Sequence, residues 1–304
     1  MGENVEQLRV KAQHYWQDVF NSTPYSNFLQ IAYIVNKSGK SWEDLLRTTS
    51  AKALTGLVGR DALMGDESPS FIRTWWTSGR CTSFTIRIVR HLQELSSPSF
   101  DFRFYDLGRH RVARCAKTGI LIDSSSTVGV LVLKDGDDWE VLEEGQPNQR
   151  KWKWVDSVSK FQRSSNPLQK SNTELSVQEC MTVCPREIAE RFEPLCFFRS
   201  FSGGTARFHG MIKWIPKDRS LTLEPERIAG RPGTKTTIVF DKDGNKDTED
   251  ECKQAVQAFV TAQGGPNGQL QWRWGQEGHR PCDVHEKLWV AAKAAWGHFP
   301  RIKT

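Results

Sequence analysis

From Phe100 to Leu133 the chain runs through four short strand-like segments, near 100–106, 109–116, 119–123 and 128–133, with few residues between them. Connections that short join only antiparallel neighbours, because a parallel crossover needs a dozen residues or more. Phe100, Phe102 and Phe104 alternate with Asp101, Arg103 and Tyr105, the period of two expected of a strand with one buried face. Gly108 and the run Lys117-Thr118-Gly119 supply turn chemistry. An antiparallel sheet is therefore the strongest constraint on the fold.

Helices surround that sheet. Val5, Leu8, Ala12, Tyr15 and Val19 form one stripe of an amphipathic helix over 5–20, and shorter helices are expected over 26–35 and 41–47. Asp66-Glu67-Ser68-Pro69-Ser70 is a helix breaker, and a further helix is read over 81–95. The expected fold class is α+β, a helical N-terminal part packed on an antiparallel β-sheet. The polar stretch 164–176, with Pro167, marks the expected boundary between a core at 1–163 and a β-rich region with C-terminal helices at 164–304. Past it come a helix over 177–192, strands near 196–201, 206–214, 221–224 and 236–240, and two closing helices over 249–261 and 284–295.

At 304 residues the chain can bury a substantial core. Its 38% apolar content and mean hydropathy of −0.56 exclude a disordered chain, and its longest apolar runs are too short to span a bilayer. No basic n-region or apolar h-region opens the chain, and Glu6 stands where a myristoylation signal needs Ser or Thr. Seven cysteines without even spacing suit a reducing compartment, so a cytoplasmic protein is expected, with no membrane association. The net charge of +6 permits an anionic partner without requiring one.

The residues that point to chemistry begin at Cys81. It heads the 81–95 helix in the run Trp75-Trp76-Thr77-Ser78-Gly79-Arg80-Cys81 and shares the azimuth of Phe84, Ile88, Leu92 and Leu95, away from Arg87, Arg90 and Glu94. A thiol there faces the packed side at the positive end of its helix, which favours the thiolate, and the same N–H groups can bind a developing oxyanion. His110 and Asp123 lie on the two arms of a hairpin. With a two-residue turn between the arms, paired positions sum to an odd number, as 110 and 123 do, and both side chains emerge on one face; a three-residue turn would put them on opposite faces. Asp123 could then hold one imidazole nitrogen while the other faces Cys81.

Gly79-Arg80-Cys81-Thr82-Ser83-Phe84 opening a helix, His110 on a strand and Ile122-Asp123 on the next resembles the transglutaminase-like branch of the papain-type cysteine enzymes, whose core arylamine N-acetyltransferases share. The resemblance covers about residues 70–133 and implies a nucleophile at Cys81, a base at His110 and an orienting acid at Asp123. Arg109 and Arg111 flank the histidine where the family carries small or aromatic residues. Ser78-Gly79-Arg80 stands where the acetyltransferases carry Arg-Gly-Gly.

Between Arg80 and Arg114 there are seven arginines, no lysine and three acids. The guanidinium fork suits carboxylate or phosphate, so Arg80, Arg109 and Arg111, with Trp75 and Trp76, are read as substrate-binding residues, whereas Arg87 and Arg90 read as a solvated helix face. Cys180, Cys184, Cys196 and His209, and likewise His279, Cys282 and His285, could be drawn as metal sets, but core packing explains them as well, and no metal or cofactor is expected. Asp241-Lys242-Asp243-Gly244-Asn245 and Gly203-Gly204 read as turns. Trp152, Trp154, Trp214, Trp272 and Trp274, interleaved with bases, could stack nucleobases but fit half-buried strands better.

The expected function is amide-forming acyl transfer through a thioester acyl-enzyme, between a small acyl donor and an amine. A CoA thioester or an aminoacyl-tRNA fits as donor, the second giving cyclodipeptide-synthase-type activity with tRNA as partner. A thiol hydrolase or protease of the same fold is the first alternative, and a non-catalytic module binding nucleic acid or protein the second.

Overall fold

The computed structural model describes residues 4–22, 25–65, 68, 71, 79–96, 99–107, 110–124, 129–141, 150–155, 160–163, 169–170, 174–190, 192–202, 205–215, 220–225 and 236–239. Expected features at 66–67, 69–70, 241–245, 249–261 and 284–295 lie outside these residues. The chain is α+β and divides into two compact units, neither continuous in sequence. The first comprises 1–22, 80–181 and 201–206, and the second 23–79, 182–200 and 207–304. The division does not follow position 163, because residues 23–79 share a sheet with strands that come after position 194.

The first unit opens with helix α1 (Val5–Ser22). Asn4 and Gln7 cap it reciprocally: the Gln7 N–H donates to Asn4 Oδ1 at 2.8 Å, and the Asn4 N–H to Gln7 Oε1 at 3.0 Å. Its buried stripe is Leu8, Ala12, Trp16, Val19 and Phe20. That is rotated from the expected stripe: Val5 is exposed and Tyr15 half-buried, because the large Trp16 ring takes the core-facing position.

Helix α5 (Cys81–Ser96) packs on α1 and on strands β3 (His110–Cys115) and β4 (Ile120–Asp123). With β2 (Phe102–Leu107), β5 (Gly129–Val132) and β10 (Glu174–Leu175), these strands form an antiparallel sheet of order β10-β2-β3-β4-β5. The strands fall where the alternation places them. Ala113 pairs with Ile122 and Arg114 with Leu121. The loop Ala116–Gly119 thus has an even number of residues, although longer than a two-residue turn, and the odd-sum register is kept.

A second sheet lies in the same unit, and of its strands the sequence pattern predicts only the half-buried one that carries Trp152 and Trp154. Strands β6 (Asp138–Val141), β7 (Arg150–Val155), β8 (Lys160–Arg163) and β9 (Gln169–Lys170) pair in that order. On β7, Trp152 and Trp154 alternate with Lys151 and Lys153, and both indoles are buried with Tyr105, Val112, Leu121, Leu131 and Leu133. They are core residues, not a stacking platform. The Arg114 guanidinium lies 4.7 Å from the Trp154 ring centroid and donates through Nε to the Leu133 carbonyl.

The second unit carries β1 (Tyr25–Ser26) and helices α2 (Phe28–Ser38), α3 (Trp42–Leu46) and α4 (Ala51–Val58). Ser41 and Asp44 cap α3 reciprocally, and Ser50 caps α4. Its sheet runs β1-β11-β12-β13-β14, with β11 (Leu195–Ser202), β12 (Thr205–Ile215), β13 (Ser220–Pro225) and β14 (Thr236–Val239). Helix α6 (Val177–Glu190) precedes β11. Trp214 is fully buried, so it too is a core residue.

Candidate active site

Cys81 is the first residue of α5, and the Phe84 N–H makes the first helical bond to the Arg80 carbonyl. Cys81, Phe84, Ile88 and Leu92 are buried as the stripe required, while Glu94 is exposed and ion-paired to Arg90 on the outer face. Ser83, Thr85, Ile86 and Val89 are buried as well, since α5 is covered by α1 as well as by the sheet.

The structure brings the three expected side chains together within the first unit. His110 Nε2 lies 2.9 Å from Asp123 Oδ1, and the imidazole also hydrogen-bonds the Cys81 thiol. Both bonds need the hairpin to present His110 and Asp123 to the same side. The site is closely covered: the Cys81 residue is 7% exposed, the His110 side chain 12% and the Asp123 side chain 3%.

Burial pushes the Cys81 thiol up, but the hydrogen bond and charge of His110, the backbone N–H of Arg111 and the charge of Arg80 together outweigh it, and the thiol falls from 9.0 to about 6. Burial likewise pushes His110 down, yet the charge and hydrogen bond of Asp123, followed by those of Cys81, carry it from 6.5 up to about 9. Between those values the pair is a thiolate and an imidazolium, a nucleophile beside a proton donor.

The arginines divide. Arg80, half-buried, contributes its charge to the thiolate. The Arg111 guanidinium is 7% exposed and held by Asp106, at 2.8 Å from Nε and 3.0 Å from Nη2, with Nη1 3.5 Å from Cys180 Sγ. This pair braces the β2–β3 hairpin, and the Arg111 backbone N–H also reaches the Cys81 sulfur. Asp106 and Arg111 are register partners across β2 and β3. Arg109, Trp75 and Trp76 lie outside the described residues.

Two hydroxyls that the sequence pattern does not single out also belong to the site. Ser124 Oγ donates to the Cys81 carbonyl at 3.0 Å, and Thr85 Oγ1 lies 2.9 Å from Ser124 Oγ. A serine directly after a strand aspartate was a weak signal, since Ser124-Ser125-Ser126 looks like any strand-ending polar run. Among the described residues no group of three or more His, Cys, Asp or Glu side chains is placed to hold a metal ion, and no helix is long and apolar enough to cross a membrane.

No protein-family model matches the sequence. No curated protein matches it either.

Proposed function

We propose that the chain is a cysteine-dependent acyltransferase of transglutaminase-like type, forming an amide through a covalent thioester at Cys81. The observation that carries this reading is the buried Cys81–His110–Asp123 hydrogen-bonded chain, with its thiol held low and its imidazole held high. The Cys81 thiolate attacks the donor carbonyl, forming a C–S bond and an oxyanion that the N-terminal N–H groups of α5 can stabilise. Collapse breaks the bond to the leaving group, which takes its proton from the His110 imidazolium. An amine then attacks the thioester, gives its proton to His110 and leaves as the amide, regenerating the thiolate. Asp123 keeps the ring oriented and its charge compensated throughout.

Close covering of the sulfur and the ring limits the access of bulk water to the acyl-enzyme, which supports an acceptor amine bound at the site before the thioester forms. Water as acceptor would make the same site a thiol hydrolase. The positive charge at Arg80 and the net charge of +6 support a donor bearing phosphates, a CoA thioester or an aminoacyl-tRNA, in a cytoplasmic setting. The tRNA donor would make the product a cyclodipeptide-type amide.

Small-molecule mass spectra of a host expressing the wild type are expected to contain an amide product missing from a Cys81→Ala host. Intact-mass analysis with iodoacetamide near neutral pH is expected to give one rapid adduct, absent from Cys81→Ala. Identical product spectra together with a Cys81 no faster than the other cysteines would sink the reading.

A further inference from the structure

The Thr85 and Ser124 hydroxyls converge on the nucleophile's own peptide. Thr85 is fully buried and Ser124 is 2% exposed. Ser124 has a single hydroxyl hydrogen, and the Cys81 carbonyl takes it at 3.0 Å. The Thr85 hydroxyl, 2.9 Å from Ser124 Oγ, must therefore be the donor of that second bond. The result is a directed chain from Thr85 through Ser124 to the Cys81 carbonyl.

Helix α5 does not need this chain for its own backbone. In an α-helix the carbonyl of Cys81 already accepts the N–H of the residue four positions on, which is Thr85. The Ser124 bond adds a tie from the first turn of α5 to the end of β4, 43 residues later. Its position directly after β4, next to Asp123, gives the tie its meaning. Asp123 bonds the His110 ring and Ser124 bonds the Cys81 peptide, so one dipeptide holds both the base and the nucleophile.

We propose that Ser124, oriented by Thr85, is a positioning residue that locks the Cys81 peptide to the end of the strand that carries Asp123 and so keeps sulfur and imidazole in bonding register. This rests on the acyl-transfer reading of Cys81. The hydroxyls act through the carbonyl, and a small angular drift of the first helical turn is enough to lengthen a sulfur–imidazole bond. Loss of the tie should therefore reduce thiolate formation before it unfolds the protein.

The test is the pH dependence of Cys81 alkylation by iodoacetamide, read by intact mass on the full-length chain, for wild type, Ser124→Ala, Thr85→Val and Ser124→Thr. Cys81→Ala assigns the signal. For Ser124→Ala the alkylation midpoint is expected to rise by about one pH unit, a tenfold smaller thiolate fraction below the midpoint. Thr85→Val, which keeps the branched shape without the hydroxyl, should move it less in the same direction, and Ser124→Thr should restore the wild-type midpoint. A merely structural hydroxyl would lower the melting temperature and leave the midpoint where it was. Unchanged midpoints in every variant that remains folded would overturn the proposal. A wild-type midpoint near the ordinary 9.0 would instead overturn the acyl-transfer reading itself, so the two failures are distinct.

Discussion

A thiol and an imidazole that bond each other while a carboxylate holds the ring exchange the usual order of their titrations. Cys81 ionises near 6 and His110 holds its proton to about 9, so the reactive pair exists between those values. The rate of Cys81 alkylation should accordingly rise as pH passes through about 6, and the proposed amide formation should fall as pH passes through about 9. Linkage gives the stability window the same limits. The imidazolium of His110, raised from 6.5, stabilises the folded chain fully below that value, and this contribution is lost as pH rises through about 9. The thiolate of Cys81, lowered from 9.0, contributes fully above that value, and the contribution is lost as pH falls through about 6. Asp123→Asn keeps the shape and removes the charge that raises His110. Its alkylation midpoint should rise by about one unit, which lowers the rate by about tenfold at pH 5 and by less than about twofold at pH 7, as stopped-flow alkylation across pH would read directly. A rate indistinguishable from wild type would mean that the carboxylate charge is not what holds the ring.

The elements that present these side chains were legible in unequal measure. Alternation over 100–105 and the parity of His110 and Asp123 gave the hairpin, because period and register are local properties of a strand pair. The α1 stripe came out one position off, since helical periodicity gives an azimuth but not which large ring, Tyr15 or Trp16, wins the core. The sheet β6–β9 escaped because its strands are short and rich in charged residues, with buried aromatics such as Trp152 and Trp154 isolated between lysines. Helix α4, with Gly56 in its interior, gives too short a pattern to read. One contact between elements is strict. Gly129 has φ +69° and stands opposite Asp123 in the β4–β5 register, and a Cβ there would lie 2.6 Å from Cδ2 of the buried Trp16. Gly129→Ala must therefore strain the backbone and displace α1 from β5. It should cost about 2–6 kcal/mol in a urea melt, the sum of a left-handed non-glycine residue and an overpacked contact. Gly136, with a similar φ but open space where its Cβ would stand, isolates the backbone part of that cost: Gly136→Ala should lose clearly less.

At the scale of the whole chain, composition suggests a cut where the polar run 164–176 begins, and packing ignores it. Linker-like composition reports what a segment exposes, whereas a compact unit is defined by what its strands pair with. Glu174 and Leu175 of β10 pair with Tyr105 and Phe104 on β2, so the first unit's site-bearing sheet is completed from beyond the cut. Cys180, which meets the Arg111 guanidinium, also lies beyond it. In the second unit, Tyr25 and Ser26 pair with Phe197 and Cys196. There the Asn27 amide donates to the Glu193 carbonyl and accepts from the Leu195 N–H, each at 2.9 Å. A 1–163 fragment would thus keep Cys81, His110 and Asp123 but lose an edge of their sheet and the β11 partners of Tyr25 and Ser26. Such a fragment should lack a cooperative thermal transition by circular dichroism and bind a hydrophobic dye. Co-expression with 164–304 should restore both the transition and the low alkylation midpoint of Cys81. If the fragment alone melted cooperatively with that midpoint intact, the site would need nothing past position 163, and the two interleaved units would be a single N-terminal domain with an appendage.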